Sequence, residues 1–325
     1  MKKIVLLLFV LFTFVAVAAC NGETTTQTTT TTTTTTETTT TEAPREFAAD
    51  GEFTAYKVGI HRNAPMVTTV TVTIENDEIV AFYIDARQGR ATEGETSWTF
   101  SWNELTKKEL GDDYGMVANG GAISEWYVQA ELIEAYWLAN GFDSVTVDGD
   151  NVIDNVSGVT VKDGNYIELA AAAVQLAKDG LMQAIYCTGD DLYIAKMTVA
   201  ADGTYSELII DVLQGSPDGG TFAWRAETKQ ELGDDYAMKG VGGGYTFVDG
   251  AWVSSGSPAE LEWYEQVALI TDYVMENGWN EDLAALAQRG GTIDGTTLLD
   301  DLAGVTIRSG SYYTLLAELF SKLPE

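Results

Sequence analysis

The sequence predicts an α+β fold written twice in tandem, each copy an antiparallel meander followed by helices, behind a disordered tether. Three observations carry this. A long internal repeat runs through the chain. Segments of alternating apolar and polar residues are broken by Asn, Asp and Gly turns. The stretch before them is nearly all threonine. The repeat is the most informative: Thr106-Lys-Lys-Glu-Leu-Gly-Asp-Asp-Tyr-Gly-Met116 returns as Thr228-Lys-Gln-Glu-Leu-Gly-Asp-Asp-Tyr-Ala-Met238. Thr99-Phe100-Ser101-Trp102 matches Thr221-Phe222-Ala223-Trp224, Glu125-Trp126-Tyr127 matches Glu262-Trp263-Tyr264, and residues 154–160 match 300–306, all in the same order. Units of this length are each large enough for a core of their own, which places the copies at 51–180 and 181–325.

The elements follow in order. Phe53–Ile60 and Met182–Thr188 read as opening strands. Val67–Glu75 and Ile79–Asp85 form a hairpin about Asn76-Asp77, and Leu192–Ala200 and Thr204–Leu213 form its counterpart about Asp202-Gly203. A short helix ends at Gly111 or Gly233, suited to the residue after a helix. The longer helix of copy two is expected to start at Ser257-Pro258-Ala259-Glu260, a capping box with proline at the first helical position. Its apolar face is Trp263, Val267, Ile270 and Val274, matched in copy one by Trp126, Ala130, Ile133 and Trp137. Asn140-Gly141 and Asn277-Gly278 end these helices, and Asn165–Lys178 or Tyr312–Leu323 closes each unit.

Ahead of the copies, Met1-Lys2-Lys3 precedes an apolar run from Ile4 to Ala19, of signal-peptide length and short for a membrane span. The ending Val17-Ala18-Ala19-Cys20 resembles the lipobox of bacterial lipoproteins, in which the cysteine becomes a diacylglycerol-bearing N-terminus. The resemblance implies a signal peptide at 1–19 and lipidation at Cys20, and two acyl chains would meet the two-signal requirement for stable anchoring. The expected location is the outer face of the bacterial cytoplasmic membrane, exposed to cell wall or extracellular space. Residues 20–50, the anchor and threonine-rich segment, are expected to form a disordered tether. Its typical reach is on the order of 30 Å, and roughly 100 Å when straight.

Composition narrows the function. The net charge is −31, and −33 once Lys2 and Lys3 leave with the leader, a field that repels nucleic acid and favours cationic partners. With Cys20 lipidated, Cys187 has no partner for a disulfide and reads as a small buried hydrophobe. His61 is the single histidine, which removes c-type haem and most zinc sites, and it reads as a surface residue.

Both copies place a Gly-Val-Thr turn before the last helix, Gly158-Val159-Thr160 and Gly304-Val305-Thr306. Such a turn delivers a hydroxyl near a helix N-terminus, where backbone N–H groups and the macrodipole favour phosphate. Two residues on stand Lys162 and Arg308, cations able to pair with a phosphodiester. Glycine turns before helices and solvated cations are also ordinary features of any surface.

These residues resemble the flavinylation motif, Asp-x-x-Ser/Thr-Gly-Ala-Ser/Thr, of FMN-binding domains such as those in sodium-pumping NADH:quinone reductases and Rnf complexes. The resemblance implies an FMN-binding-type domain in each copy. It implies FMN joined by a separate flavin transferase, from FAD, to Thr160 and Thr306 through a phosphoester, two per chain. Asp154 and Asp300 take the motif's acidic position, Ser157 its hydroxyl position, and Gly158 and Gly304 its glycine. Val159 and Val305 depart from the usual alanine, and Ala303 from the usual Ser or Thr. Trp126, Trp263, Tyr166 and Tyr312 are candidates to pack on the isoalloxazine ring, or equally to be ordinary core aromatics. The whole arrangement of lipobox, threonine tether and paired motifs is similar to tandem FMN-binding lipoproteins of Gram-positive extracellular electron transfer. That likeness implies an electron carrier rather than a substrate-transforming enzyme. Its donor would be a membrane NADH dehydrogenase or the quinone pool, and its acceptor ferric iron or another outside oxidant. Such proteins hold no catalytic residue of their own and no metal. A covalent bond also suits an acidic chain whose field holds a phosphate poorly and whose cofactor would be lost outside the cell.

The alternative is an adhesin or solute-binding lipoprotein without redox activity, whose glycine loops at Asn119–Gly121 and Gly242–Gly244 line a cleft. Those glycines lack the Gly-Lys-Ser/Thr ending of a P-loop. A third reading keeps the two copies as unflavinylated, structural domains.

Overall fold

A computed structural model describes residues 44–324, apart from 96, 219, 242–244, 249–250, 255–257, 281–304, 306 and 308–309. Copy one opens with β1 (Gly51–His61), β2 (Ala64–Glu75), β3 (Glu78–Glu93) and β4 (Trp98–Trp102), an antiparallel sheet in that order. Copy two repeats it with β5 (Leu181–Thr188), β6 (Asp191–Val199), β7 (Tyr205–Asp218) and β8 (Thr221–Trp224). Apolar residues fall at every second position of β2, so Val70, Val72 and Ile74 all turn to one face and are sealed from water. The β2–β3 turn places Asn76 and Asp77 at φ of 52° and 66°, the pair of left-handed residues that a tight, correctly twisted hairpin turn requires.

Helices follow each sheet. α1 (Lys107–Leu110), α2 (Met116–Gly120), α3 (Trp126–Asn140) and α4 (Tyr166–Asp179) belong to copy one, and α5 (Lys229–Leu232), α6 (Trp263–Asn277) and α7 (Gly310–Phe320) to copy two. The four-residue helices α1 and α5 are too short to persist alone. Each is held by a Thr–Glu capping box, Thr106 with Glu109 and Thr228 with Glu231. Each is also tied to its sheet by an aspartate. Asp85 accepts from the Lys108 and Ala86 amides at 3.1 and 2.7 Å, and Asp211 does the same for Gln230 and Val212 at 3.0 and 2.7 Å. The apolar stripes read from the sequence, Trp126 to Trp137 and Trp263 to Val274, are buried throughout.

The two copies share one folded unit, Pro44–Glu325, and a single buried cluster runs through both. Where they meet, equivalent residues touch each other. Phe100 packs on Phe222 with ring centroids 5.4 Å apart, and Trp102 on Trp224 at 6.1 Å. Self-paired contacts of this kind are the mark of an isologous, two-fold interface, so the copies pack as a fused pseudo-dimer. Val67, Cys187, Leu192 and Ile194 form a second buried cluster beside these rings. Polar bonds add to it: the Gln183 amide donates to the Thr54 carbonyl at 2.6 Å, and the Trp224 indole donates to the Gly59 carbonyl at 2.9 Å. The symmetry is broken at the other indole, where buried Trp102 Nε1 has no partner among the described residues.

Three expectations change. The folded unit begins at Pro44 rather than 51, because Phe47 and Ala49 enter the core and the Phe47 and Glu46 amides donate to Asp77 at 2.8 and 3.0 Å. The repeated Phe-x-Trp segments are fourth strands, β4 and β8, and β3 runs on to Glu93 to pair with the first of them. The long helix of copy two starts at Trp263, not at Pro258. Ala259 instead bridges to Lys239, and the Gly240 amide donates to its carbonyl at 2.8 Å. Glu262 caps α6 with Glu265 as its return partner, and the same carboxylate accepts from the Met238 and Lys239 amides. That double use binds the preceding loop to the helix start, which a helix begun at Pro258 would forfeit. Ser257 lies outside the described residues. β9 (Tyr245–Val248) and β10 (Ala251–Ser254) form a hairpin in copy two, where copy one has α2.

The copies differ under the sheet. Copy one buries an ion pair, Lys108 to Glu134 at 2.6 Å, with side chains about a tenth exposed. Copy two has Gln230 and Thr271 at these positions, and Gln230 donates to the Ile210 carbonyl at 2.8 Å. Removing one partner of a buried pair strands the other charge, at a cost of about 3–5 kcal/mol. Glu134→Ala should therefore lower stability in urea unfolding by about that amount, whereas Lys108→Gln with Glu134→Thr should recover most of it. Burial also pushes the Tyr56, Tyr166 and Tyr193 phenols up to about 12. Folded tyrosines then keep protons that unfolded ones lose, so this contribution is complete below pH 10 and is lost as pH rises toward 12. The urea midpoint should fall across that window, with phenolate absorbance appearing on unfolding.

Candidate functional site

The turn 154–160 sits between α3 and α4 and is assembled by side chains that face backbone. Asp154 accepts from the Thr146 hydroxyl at 2.7 Å, and its own amide donates to the Thr146 carbonyl at 3.2 Å. Asn155 bonds the Thr146 amide and the Ser144 carbonyl, which closes the loop before the turn. Val156 and Val159 are buried plugs that hold the turn against the core, while Ser157, Gly158 and Thr160 are exposed. Gly158 has φ of +86°, a conformation costly for other residues, and a Cβ there would stand 3.0 Å from Leu132. The result is a threonine hydroxyl raised to the surface on a turn anchored from both sides.

Gln129 is the anchor on the helix side. It is fully buried, its amide donates to the Ser124 carbonyl at 3.0 Å, and its oxygen accepts from the Thr160 amide at 2.7 Å and hydroxyl at 3.3 Å. Copy two has Gln266 in this place, also fully buried, donating to the Leu261 carbonyl at 3.1 Å and accepting from the Ile307 amide at 3.1 Å. Sequence reasoning passed over this residue. Its signal was present: Glu-Trp-Tyr-x-Gln stands in both copies, with the glutamine one helical turn after the tryptophan.

The expected phosphate seat at the start of α4 is taken by the chain itself. Asp163 accepts from the Tyr166 and Ile167 amides at 2.7 and 3.3 Å, so those N–H groups are already paired. Lys162 lies exposed on the segment that bridges to Val152 and has no ion pair among the described residues. Trp126 and Tyr166 are buried and joined, the indole donating to the phenol oxygen at 3.2 Å, and Trp263 and Tyr312 repeat this at 2.8 Å. These four aromatics form one bonded aromatic wall in each copy, packed into the shared core. Burial raises the Tyr312 phenol well above its ordinary range. Cys20, Asp300, Gly304, Thr306 and Arg308 lie outside the described residues.

A lysine completes each wall. Lys107 lies over the Tyr114 and Trp126 rings at 5.2 and 4.9 Å from their centroids, and Lys229 over Tyr236 and Trp263 at 4.9 and 5.3 Å. The sequence carried this signal too, as the lysine after the capping threonine of each repeated block. Elsewhere, a cleft of about 580 Å³ opens between the copies, lined by Thr54, Thr69, Thr71, Tyr83, Ile185 and Tyr186 among others. None of the sequence-derived site residues lines it. The loop glycines 242–244 lie outside the described residues. Among the described residues there is no group of three or more His, Cys, Asp or Glu side chains placed to hold a metal, and no helix is long and apolar enough to cross a membrane. Burial raises the Cys187 thiol to about 12, which leaves it inert as a nucleophile.

No protein-family model matches this chain, and no curated protein matches it. Among solved structures it is similar to a Clostridium thermocellum protein determined by solution NMR. That likeness has 27% identity, covers 39% of this chain and 89% of the other, and has a TM-score of 0.27.

Replacing Gln129 by Leu would leave the Thr160 amide and the Ser124 carbonyl without their partner. An unmet bond of this kind costs about 1–3 kcal/mol. Urea unfolding of Gln129→Leu should show a loss in that range, and amide hydrogen exchange should quicken at Thr160 before it does in β2.

Proposed function

We propose that the chain is an extracytoplasmic electron carrier of the FMN-binding type, with FMN joined by a phosphoester to Thr160 and Thr306 by a separate flavin transferase. The observation that carries the reading is Thr160. Thr160 is exposed at the end of a glycine turn, and its amide and hydroxyl are held by a buried glutamine that the second copy also has. An acceptor hydroxyl needs access from outside and a fixed direction, and this arrangement supplies both. Gly158 leaves the turn free of a side chain beside the acceptor, and Lys162 stands two residues on for the phosphate charge. Because Asp163 already caps α4, attachment would rest on the covalent bond and Lys162 rather than on the helix end.

When bound, the flavin supplies reversible electron transfer; the chain supplies attachment, orientation and charge. Lipidation at Cys20 and the tether would keep the two sites between a membrane NADH dehydrogenase or quinone donor and an outside acceptor such as ferric iron. The single folded unit holds the two copies in a constant relation, which suits a carrier with two centres. A second reading, a solute-binding lipoprotein, has the cleft between the copies in its favour.

The chain co-expressed with a flavin transferase should gain the mass of two FMN less two waters, and one unit fewer in Thr160→Val or Thr306→Val. A chain that stays unmodified, with no flavin fluorescence on a denaturing gel, would sink the carrier reading and leave the cleft as the site to pursue.

A further inference from the structure

The lysine that completes each aromatic wall lies over ring faces rather than against a carboxylate among the described residues. Lys229 is 7% exposed, and neither it nor Lys107 has a carboxylate within ion-pair distance among the described residues. The other lysines with little exposure are treated differently. Lys108 is paired with Glu134 at 2.6 Å, and Lys322 with Glu318 at 3.2 Å and Glu52 at 3.7 Å. The groups facing the unpaired cations are aromatic, Tyr114 and Trp126 in one copy, Tyr236 and Trp263 in the other, with Asp85 and Asp191 acting only at longer range. Ring faces offset part of the desolvation of an ammonium but leave it short of a counter-charge.

A lone ammonium buried this way is a singular flaw in one copy. Its repetition in both, against the same two ring types and in the same capped helix, makes it a designed feature. Trp126 and Trp263, on which the lysines lie, also stand one helical turn before Gln129, which holds the Thr160 amide, and Gln266, which accepts from the Ile307 amide.

Resting on the flavin reading above, we infer that Lys107 and Lys229 are the counter-cations for the negative charge that a reduced isoalloxazine ring carries along its N1–C2 carbonyl edge. The lysine is unpaired while the ring is oxidised and neutral, and gains its partner on reduction, so it biases each site toward the reduced form. The strongly negative net charge of the chain makes a local cation more valuable, because the surrounding acidic field opposes any further negative charge. Burial lowers the Lys107 ammonium to about 8, close enough to neutrality that a counter-charge will hold its proton.

The test uses the full chain co-expressed with a flavin transferase, as wild type, Lys107→Met and Lys229→Met, with methionine keeping the length and apolar stem. Thr306→Val and Thr160→Val backgrounds leave one flavin at a time, so each potential can be assigned. Intact mass should show the flavin still attached in each variant. Spectroelectrochemistry should then show the midpoint of the flavin in the same copy lowered, by about 30 mV for each tenfold loss in holding the two-electron-reduced form, with the other copy unmoved. The unmodified Lys229→Met chain should melt no lower than unmodified wild type, since it removes a charge that had no partner. Attached flavins with unchanged potentials in both variants would overturn this inference alone. So would a lower melting point of the unmodified variant, which would make the lysine an anchor of the aromatic wall. An unmodified wild-type chain would instead overturn the flavin reading on which it rests.

Discussion

A side-chain amide sealed from water must find its hydrogen bonds inside the protein, and Gln129 finds them in three directions. It joins the Ser124 carbonyl, just before α3, to the amide and hydroxyl of Thr160 in a turn 31 residues further on. Any shift of the turn would leave a buried donor or acceptor unpaired, which is worse than never having placed a polar group there. The turn at 154–160 is therefore tied to α3. Since α3 presents Trp126 to Tyr166 and Lys107, the glutamine also sets the turn against the aromatic wall. In copy two Gln266 likewise joins the Leu261 carbonyl to the Ile307 amide.

The second organising fact is that the two copies pack through equivalent residues. Phe100 against Phe222 and Trp102 against Trp224 place a pseudo-two-fold relation at the meeting of β4 and β8. Duplication within one chain removes the translational cost that two separate protomers would meet on association, and the shared buried cluster then behaves as one core. It also frees the copies to diverge away from the axis. The Trp224 indole found the Gly59 carbonyl while the Trp102 indole found none among the described residues. Copy one keeps a buried Lys108–Glu134 pair where copy two is neutral, and copy two carries a hairpin where copy one has α2. The capping boxes, the Asp85 and Asp211 ties, the glutamines and the lysines over tryptophan are shared by both copies.

Much of this was open to reading without coordinates where one local rule governs. Period-two alternation in Val67–Glu75 left little choice but a strand, and Asn76-Asp77 little but a turn. The stripe from Trp126 to Trp137 gave its helix at once. Rules that compete were harder. Pro258 after a serine satisfies every local criterion for a helix start, yet Glu262 four residues on has the greater claim because it also binds the Met238 and Lys239 amides. Phe47 stands in a segment with no periodicity, so nothing nearby marked it for the core. The helix end before Tyr166 looked free for phosphate because the sequence does not show where Asp163 will turn.

The sequence by itself determined the duplication, the α+β class, the strands and helices with strong periodicity, and the Gly158-Val159-Thr160 turn. These depend on residues within a few positions of one another, and the repeat reports on itself. Only the tertiary structure decided that the copies share a core and meet about equivalent rings, that Gln129 holds Thr160, and that Lys107 and Lys229 lie over tryptophan with no ion pair among the described residues. Each of these joins residues from 19 to more than 100 positions apart. Pairing at that range is set by which buried polar and charged groups find partners once the chain has collapsed, and no local pattern encodes that outcome.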